Sequence, residues 1–418
     1  MYDWANSAFS TTVIAGLFPI FFKDYWSKGT SATESTFWLG IAVSSSSLIV
    51  SVLSPILGAL ADLGSAKKRL LFFFASVSIV MTGSFFLIGE GQWQLAIFTY
   101  ALANVGFLSA NTFYDSLLVE VSTPKTSDFV SSLGYALGYF GGGLLFLLNI
   151  IMIQNPASFG LSGSAQAVQV SFLTVAIWWA VFSIPIFLFV PESKGNNDIA
   201  FTEAAKRSFS ELRQSFHEIR KLKTILLFLI AYWLYIDGVD TIISMAVDYG
   251  KSIGIQNSDL ITALLMVEFV AFPFALLFGY LGQKFNTKSM ILVGIGAYVL
   301  VTFMGANLDL TPVDFLGFQF SKFFGIAFLV GMVQGGVQAL SRSFYSRLIP
   351  KEKSAEFFGF YNMVGKFAAI IGPVLMGSVS YLTGDPRYGI QSVAILFVIG
   401  GGLLIFVKAP SIEPKKEI

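Results

Sequence analysis

The sequence has no cysteine, a single histidine and few charged residues. Without cysteine the chain has no disulfide, no thiol nucleophile and no thiolate-bound metal, and one histidine is too few for a histidine-rich metal site. We therefore expect no metal and no cofactor. A net charge of +1 gives no general attraction to nucleic acid. Charged residues make up 12% of the chain, about half of the roughly 25% that is usual in soluble domains.

The chain is instead rich in apolar residues, which make up 55% of its 418 positions. A soluble protein could not bury this much apolar surface, whereas a lipid bilayer removes the need. The apolar runs are about 20 residues long and do not alternate, so they predict spanning helices rather than barrel strands of about 10 residues. We predict an all-α membrane protein with twelve such helices, centred near Ile14, Ile49, Ile79, Leu108, Leu144, Ala180, Ile236, Ala271, Tyr298, Val330, Ile370 and Leu396.

One polar segment, from Pro191 to Lys223, divides these runs six and six. It predicts an N-terminal six-helix half at 1–190, a cytoplasmic linker at 191–223 and a C-terminal six-helix half at 224–418. Apolar residues recur at helical spacing within the linker, at Ala205, Phe209, Leu212, Phe216 and Ile219. This stripe fits an amphipathic helix on the inner membrane surface, and a plain linker helix remains the alternative.

The two halves carry related motifs at similar offsets. Gly58-Ala-Leu-Ala-Asp62 ends the second run and Gly279-Tyr-Leu-Gly-Gln283 ends the eighth, while Gly134-Tyr135 and Gly359-Phe360 open the fifth and eleventh. Such a repeat indicates duplication. Two six-helix halves related by an axis along the membrane normal are the arrangement of the major facilitator fold.

The distribution of positive charge predicts the orientation of the chain. Most of the 26 Lys and Arg residues fall on one set of alternating loops, and only Lys23, Lys28, Lys251 and Arg387 fall on the other. Cytoplasmic loops carry the excess of Lys and Arg. We therefore expect both termini in the cytoplasm, with a bacterial inner membrane favoured over a vacuolar membrane.

The segment Gly58-Ala-Leu-Ala-Asp62-Leu-Gly-Ser-Ala-Lys67-Lys68-Arg69 resembles the signature loop between the second and third helices of the major facilitator superfamily. The resemblance implies a cytoplasmic latch formed by Asp62, Lys67, Lys68 and Arg69. The second copy has Gln283 in place of the acid, which argues against a symmetric second latch.

A narrower resemblance begins at Tyr2-Asp3-Trp4-Ala5-Asn6-Ser7-Ala8-Phe9, which is similar to the opening of the vacuole effluxer (autophagy-related) family and its bacterial relatives. Further matching stretches are Tyr235–Thr241, Gln338–Ser343 and Glu356–Tyr361. The resemblance implies export of small solutes, and amino acids are the substrates proposed for the vacuolar members. Members of this family usually carry a short basic tail before the motif, and the sequence lacks it, which suggests a trimmed start or a different initiation codon.

Acidic residues within the apolar runs are candidates for proton coupling. A charge at mid-bilayer costs about 2.5–3.5 kcal/mol on insertion scales, so such groups face cavities or each other. Asp237 and Asp240 are three residues apart in the seventh run and share one helix face. Repulsion between two such carboxylates favours binding of a proton. Glu268, a lone acid in the eighth run, is a third candidate.

Other polar residues in the runs are candidates for binding the solute. Lys366 lies near the middle of the eleventh run, where it could bind a carboxylate or pair with Asp240 or Glu268. Asn6 and Asn111 cannot satisfy their amides locally, and Tyr135 and Tyr361 could contact a solute. Asp115 and Arg342 lie near the inner ends of two runs. They could form a gate salt bridge, or Arg342 could extend to the membrane interface.

These observations favour a secondary transporter of small organic solutes, most simply amino acids or related zwitterions, that works by alternating access and couples to protons. Export of drugs or lipids is the alternative within transporters, and a non-transporting receptor on the same fold is another. An enzyme is disfavoured because the sequence has no zinc motif and no nucleophile motif. We expect a monomer that contacts its solute, membrane lipids and protons.

Overall fold

The computed structural model describes residues 1–29, 32–63, 66–192, 222–309, 313–315 and 318–408. Twelve helices in these ranges are long and apolar enough to cross a membrane. We number them α1 Tyr2–Trp26, α2 Ala32–Leu63, α3 Lys67–Ser84, α4 Trp93–Ser116, α5 Ser127–Gln154, α6 Ser164–Phe189, α7 Lys223–Ser252, α8 Asn257–Lys284, α9 Thr287–Ala306, α10 Lys322–Ser346, α11 Ser354–Thr383 and α12 Pro386–Phe406. Each predicted centre lies in a different helix, so the prediction of twelve spans is confirmed.

Short elements extend or connect these helices. The 3-10 turn Phe85–Leu87 continues α3, and the helix Leu118–Val121 continues α4. Two more 3-10 turns, Pro156–Phe159 and Lys351–Lys353, precede α6 and α11. A junction at Val393 divides α12 into Pro386–Ser392 and Ala394–Phe406.

One small β-hairpin joins α9 to α10. Its strands, β1 Val313–Phe315 and β2 Phe318–Phe320, pair in antiparallel fashion with Val313 opposite Phe320. The prediction of an all-α membrane fold therefore holds for the spans, with this hairpin in a connection.

Helix α1 is irregular along its length. The stretches Phe9–Leu17 and Phe22–Trp26 are π-helical, and they alternate with the α-helical stretches Tyr2–Ala8 and Phe18–Phe21. π-helical segments are rare and are frequent at functional sites, because they widen the helix and shift its side chains. The segment Phe9–Leu17 directly follows the Tyr2–Phe9 motif.

The described chain forms two compact units. Unit 1 contains residues 1–121, 137–192 and 352–363, and unit 2 contains residues 122–136, 222–351 and 364–408. Helix α5 therefore begins in unit 2 and continues in unit 1, whereas α11 begins in unit 1 and continues in unit 2. The predicted halves at 1–190 and 224–418 stay predictions. The stripe predicted at 205–219 lies outside the described residues.

Aromatic side chains fill the core of unit 1. Trp26 is fully buried and its ring lies 5.4–5.7 Å from those of Phe18, Phe85 and Phe172. Aromatic pairs at this separation contribute about 0.5–1.5 kcal/mol beyond their burial. Because lipid is as apolar as the core, large side chains such as Phe98 and Leu188 are exposed on the outer faces of these helices at no cost in the bilayer.

Helices α7, α9 and α12 pack closely in unit 2. The rings of Tyr298 in α9 and Phe397 in α12 stack at 5.1 Å. A Cβ added at Gly238 in α7 would lie 2.7 Å from the Phe397 ring, so the ring rests on the backbone of α7. This packing surrounds the face of α7 that carries its two acids.

Candidate functional site

The two acids of α7 lie in different surroundings. Asp237 is fully buried, whereas Asp240, one helical turn further on, is half-buried. Lys366 of α11 and Tyr298 of α9 both lie within electrostatic range of Asp240. The structure thus brings together three predicted site residues, Asp237, Asp240 and Lys366. Lys366 is itself half-buried.

Asp237 is bound by the backbone of α11. Its Oδ1 accepts a hydrogen bond of 2.9 Å from the N–H of Gly372, and the backbone of Ile371 lies close to the same carboxyl group. Gly372 permits this contact, because a Cβ at that position would lie 2.8 Å from Asp237 Oδ1 and would overlap Thr241 Oγ1. Pro373, the next residue, lies inside α11.

The third predicted acid, Glu268, is half-buried on α8. It lies near the middle of its span, as the sequence indicates. Its role in proton coupling stays a prediction.

A second polar cluster joins α1 to α4 in unit 1. Asn6 Nδ2 donates to Asn111 Oδ1 at 2.7 Å, so the two predicted amides pair with each other. One turn earlier, Tyr114 Oη donates to Asp3 Oδ2 at 2.5 Å. Asp3 is buried, with 9% of its surface exposed, and it was not among the predicted site residues. Its signal in the sequence is its position inside the Tyr2–Phe9 motif.

Asp115 and Tyr361 also lie in unit 1. Asp115 Oδ2 accepts a hydrogen bond of 3.2 Å from Asn362 Nδ2, a residue that the sequence did not single out. The neighbouring Tyr361 is buried, and its ring lies 5.7 Å from that of Phe358. A direct role of Tyr361 in solute binding stays a prediction.

The predicted latch residue Asp62 holds the first turn of α11. Its two carboxylate oxygens accept hydrogen bonds from the N–H groups of Ala355 at 3.2 Å and Glu356 at 2.8 Å. A carboxylate is favoured at this position because the first turn of a helix has free N–H groups and a positive dipole end. The helices approach closely here, since a Cβ at Gly58 would lie 2.7 Å from the Ala355 carbonyl carbon.

Lys67 connects this acid to α4. Its Nζ lies 3.3 Å from Asp62 Oδ1 and 3.4 Å from Glu120 Oε1, and it donates to Ser354 Oγ at 2.8 Å. The three charged side chains are between 5% and 8% exposed. Asp62 and Lys67 therefore meet as the sequence predicts, while Glu120 and Ser354 are partners that it did not indicate.

The two other basic residues of the predicted latch have separate positions. Lys68 Nζ donates to the carbonyls of Phe187 and Val190 at the end of α6, both at 2.8 Å. Arg69 is exposed. The carboxylate of Glu192 accepts from the N–H groups of Lys67 at 2.6 Å and Lys68 at 3.4 Å and so caps α3. Burial raises the pKa of Glu192, and the two N–H groups partly oppose this.

Arg342 is buried against the first turns of α5. Its Nε donates to Ser131 Oγ at 2.9 Å, its Nη2 donates to the Ser131 carbonyl at 3.0 Å, and its guanidinium lies 4.5 Å from the centre of the Tyr135 ring. Only 3% of its surface is exposed, so the expected extension to the membrane interface is wrong. The packing against α5 holds the side chain inside unit 2. A gate pair with Asp115 stays a prediction.

A network that the sequence did not indicate lies at the start of α5. Asp128 accepts hydrogen bonds from Thr287 Oγ1 at 2.6 Å, from Arg347 Nη1 at 2.9 Å and from Ser343 Oγ. This acid lies beside the second copy of the signature loop, since its Oδ2 would be 3.5 Å from a Cβ at Gly282. The second copy therefore has an acid, but the acid belongs to α5 instead of position 283.

Comparisons with known proteins agree with this architecture. The sequence model of the family described as "Vacuole effluxer Atg22 like" matches residues 1–415. A Bacillus subtilis protein named "Uncharacterized MFS-type transporter YxiO" is 40% identical over 97% of this chain and 93% of its own length. "Autophagy-related protein 22" of Kluyveromyces lactis is 26% identical over 80% of this chain and 71% of its own length.

A solved structure shows the same fold. The structure of the major facilitator proton:xylose symporter XylE superposes with a TM-score of 0.70 at 14% identity and covers 99% of this chain and 94% of that chain. The resemblance to known proteins and the twelve spans identify a multi-pass membrane transporter and not an enzyme. The chain belongs to the vacuole effluxer Atg22-like family, and its fold is that of the major facilitator superfamily.

Proposed function

We propose that this transporter exports amino acids or related zwitterions by alternating access and that protons drive the export. The observation that carries the proposal is that opposite charges, Asp240 on α7 and Lys366 on α11, lie within electrostatic range of each other inside the spans. A zwitterionic solute needs one group of each sign, an acid for its ammonium and a base for its carboxylate. Both residues are half-buried, which leaves part of each side chain accessible.

The position of these charges in the membrane supports a transport role. Both residues lie within spanning helices, and ionisable groups there are costly and mark substrate or ion pathways. The pairing of Asn6 with Asn111 places a further polar group in the spans of unit 1. Asn6, Asn111, Tyr135 and Tyr361 are our remaining candidates for solute contact.

The direction and the coupling are proposed on separate grounds. The family description names an effluxer, which supports export. Asp237, Asp240 and Glu268 are the acids that could carry a proton, since all three lie within spans. We place both termini in the cytoplasm of a bacterial cell, because of the loop charges, and we expect the monomer to transport.

A binding screen tests the solute class. The purified protein would be heated with amino acids, dipeptides, nucleosides, sugars and organic acids, since a ligand that binds the folded state raises its apparent stability. We expect stabilisation by amino acids and its loss in Asp240→Asn and in Lys366→Ala. Stabilisation by a different class alone would contradict the proposed solute.

A matched pair of controls separates this effect from a general loss of charge. Lys322 and Asp309 form an exposed ion pair of 2.5 Å at the start of α10. Exposed pairs contribute about 0–1 kcal/mol, so Asp309→Asn and Lys322→Ala should retain the stabilisation by amino acids. An equal loss in both pairs of variants would contradict a specific role for Asp240 and Lys366.

A further inference from the structure

The two acids of α7 differ in what their carboxyl groups contact. Asp237 is fully buried and its Oδ1 accepts from the N–H of Gly372 in α11. Its Oδ2 has no hydrogen-bond partner among the residues that the structure describes. Asp240 is half-buried and lies within electrostatic range of Lys366 on α11.

Proline interrupts α11 directly after Gly372. Pro373 lies inside the helix, where it supplies no N–H and its ring clashes with the carbonyl four residues before it. Such an interruption kinks a helix and weakens the neighbouring hydrogen bonds of its ladder. Asp237 Oδ1 on α7 gives the Gly372 N–H an acceptor beside this interruption.

The contact between Asp237 and Gly372 also bears on the position of Lys366 along α7. Two of the contacts between α11 and α7 are those of Gly365 with Tyr232 Oη and of Gly372 with Asp237. Lys366 lies between these two contacts. The hydrogen bond from the Gly372 N–H to Asp237 therefore helps to fix the position of Lys366 along α7.

We propose that Asp237 is a positioning residue whose Oδ1 caps α11 at Gly372, next to Pro373, and that Asp240 is the acid of this pair that exchanges the coupled proton. The groups that face Asp240 are Asp237 on its own helix, Lys366 on α11 and Tyr298 on α9. The assignment of the proton rests on the proposed function. The capping role does not, because it can be measured without a solute.

Two variants of similar size test the cap. Asp237→Asn keeps an oxygen acceptor for the Gly372 N–H, and its amide nitrogen takes the place of Oδ2, which has no partner to lose among the described residues. Asp237→Leu removes the acceptor. We expect the Asn variant to unfold within about 2 °C of the wild type and the Leu variant about 3–8 °C lower. Equal destabilisation by Asn and Leu would overturn the cap, because it would mean that the charge is what matters.

Hydrogen exchange locates the effect in the chain. We expect the amides of a peptide that contains Ile371 and Gly372 to exchange about tenfold faster in Asp237→Leu than in Asp237→Asn, since the Gly372 N–H loses its acceptor. Removal of the kink by Pro373→Ala should reduce the loss of stability caused by Asp237→Leu. Unchanged exchange, or a loss that Pro373→Ala does not reduce, would also overturn the cap.

Transport separates the two acids. With a solute from the binding screen, Asp237→Asn should retain accumulation driven by a pH gradient, while Asp240→Asn should lose it. Loss of coupling in Asp237→Asn with coupling retained in Asp240→Asn would reverse the assignment. If the screen yields no amino acid, the proposed function fails, and the stability and exchange results still decide the cap.

Discussion

Among the basic residues of the signature loop, Lys67 is the one whose substitution should lower the stability of unit 1 most. It is the cation that faces both Asp62 and Glu120, at 3.3 Å and 3.4 Å. Substitution by Met keeps the length of the side chain and removes the charge. The variant Lys67→Met would leave two buried carboxylates near each other without the lysine, whereas Asp62→Asn would leave Lys67 facing Glu120.

The burial of the three side chains sets the size of the effect. Removal of one partner from a buried charge pair costs about 3–5 kcal/mol, because the remaining charge stays desolvated. We expect a cost in this range for Lys67→Met. Asp62→Asn should cost only about 1–2 kcal/mol, since an amide oxygen can still accept from the first turn of α11.

A thermal unfolding series with one matched control checks this order. About 2–4 °C per kcal/mol is usual for 150–250 residues, so Lys67→Met should lower the apparent Tm by about 6–20 °C. Lys68→Met is the control, because Lys68 Nζ bonds two neutral carbonyls, and it should cost about 1–2 kcal/mol. In the double variant Asp62→Asn with Lys67→Met, the cost should be smaller than the sum of the two single costs. Equal effects of Lys67→Met and Lys68→Met would refute the reasoning.

Three further predictions concern other contacts. Gly372→Ala should cost about 1–3 kcal/mol in thermal unfolding, because its Cβ would overlap Thr241 Oγ1. Gly377→Ala, where a Cβ would have no atom within 4 Å, should be nearly neutral, and equal costs would contradict the packing of α7 on α11. Asn6→Ala and Asn111→Ala should each cost about 1–3 kcal/mol, and their double variant should cost less than the sum, since each leaves the other amide unsatisfied; additive costs in a double-mutant cycle would argue against the pair. Burial in the folded protein raises the pKa of Glu192 above its ordinary value of 4.5, so folding favours the protonated form. The stability that this group contributes is therefore fully present below pH 4.5 and declines as the pH rises through the folded pKa. The Tm of the wild type relative to that of Glu192→Gln should fall as the pH rises above 4.5, and an increase in this difference would contradict a raised pKa.

The spans were predictable from the sequence because each is a long apolar run that can satisfy its backbone only as a helix in lipid. The centres at Ile236 and Ile370, for example, lie well inside α7 and α11. The position of Asp62 at the end of α2 and its encounter with Lys67 also followed from a local motif. Local spacing was sufficient in these cases.

The contacts of the remaining charged residues depend on helices that are distant in the sequence. Asp128 and Arg347 are 219 residues apart, and each lies near a helix end, where a charge resembles an ordinary interface anchor. The sequence placed Asp237 and Asp240 on one helix face and treated them alike. Of the two, Asp237 alone accepts a hydrogen bond from Gly372 on α11, and no period within α7 reveals a partner on another helix.

The uptake of a labelled amino acid into inside-out membrane vesicles tests the central proposal most directly. An exporter that uses protons should accumulate the amino acid inside such vesicles when their interior is acidic, and the accumulation should vanish when the pH gradient is collapsed. The variant Asp240→Asn should show no such accumulation. Uptake that is the same with and without the gradient, in wild type and in Asp240→Asn, would contradict proton-driven export.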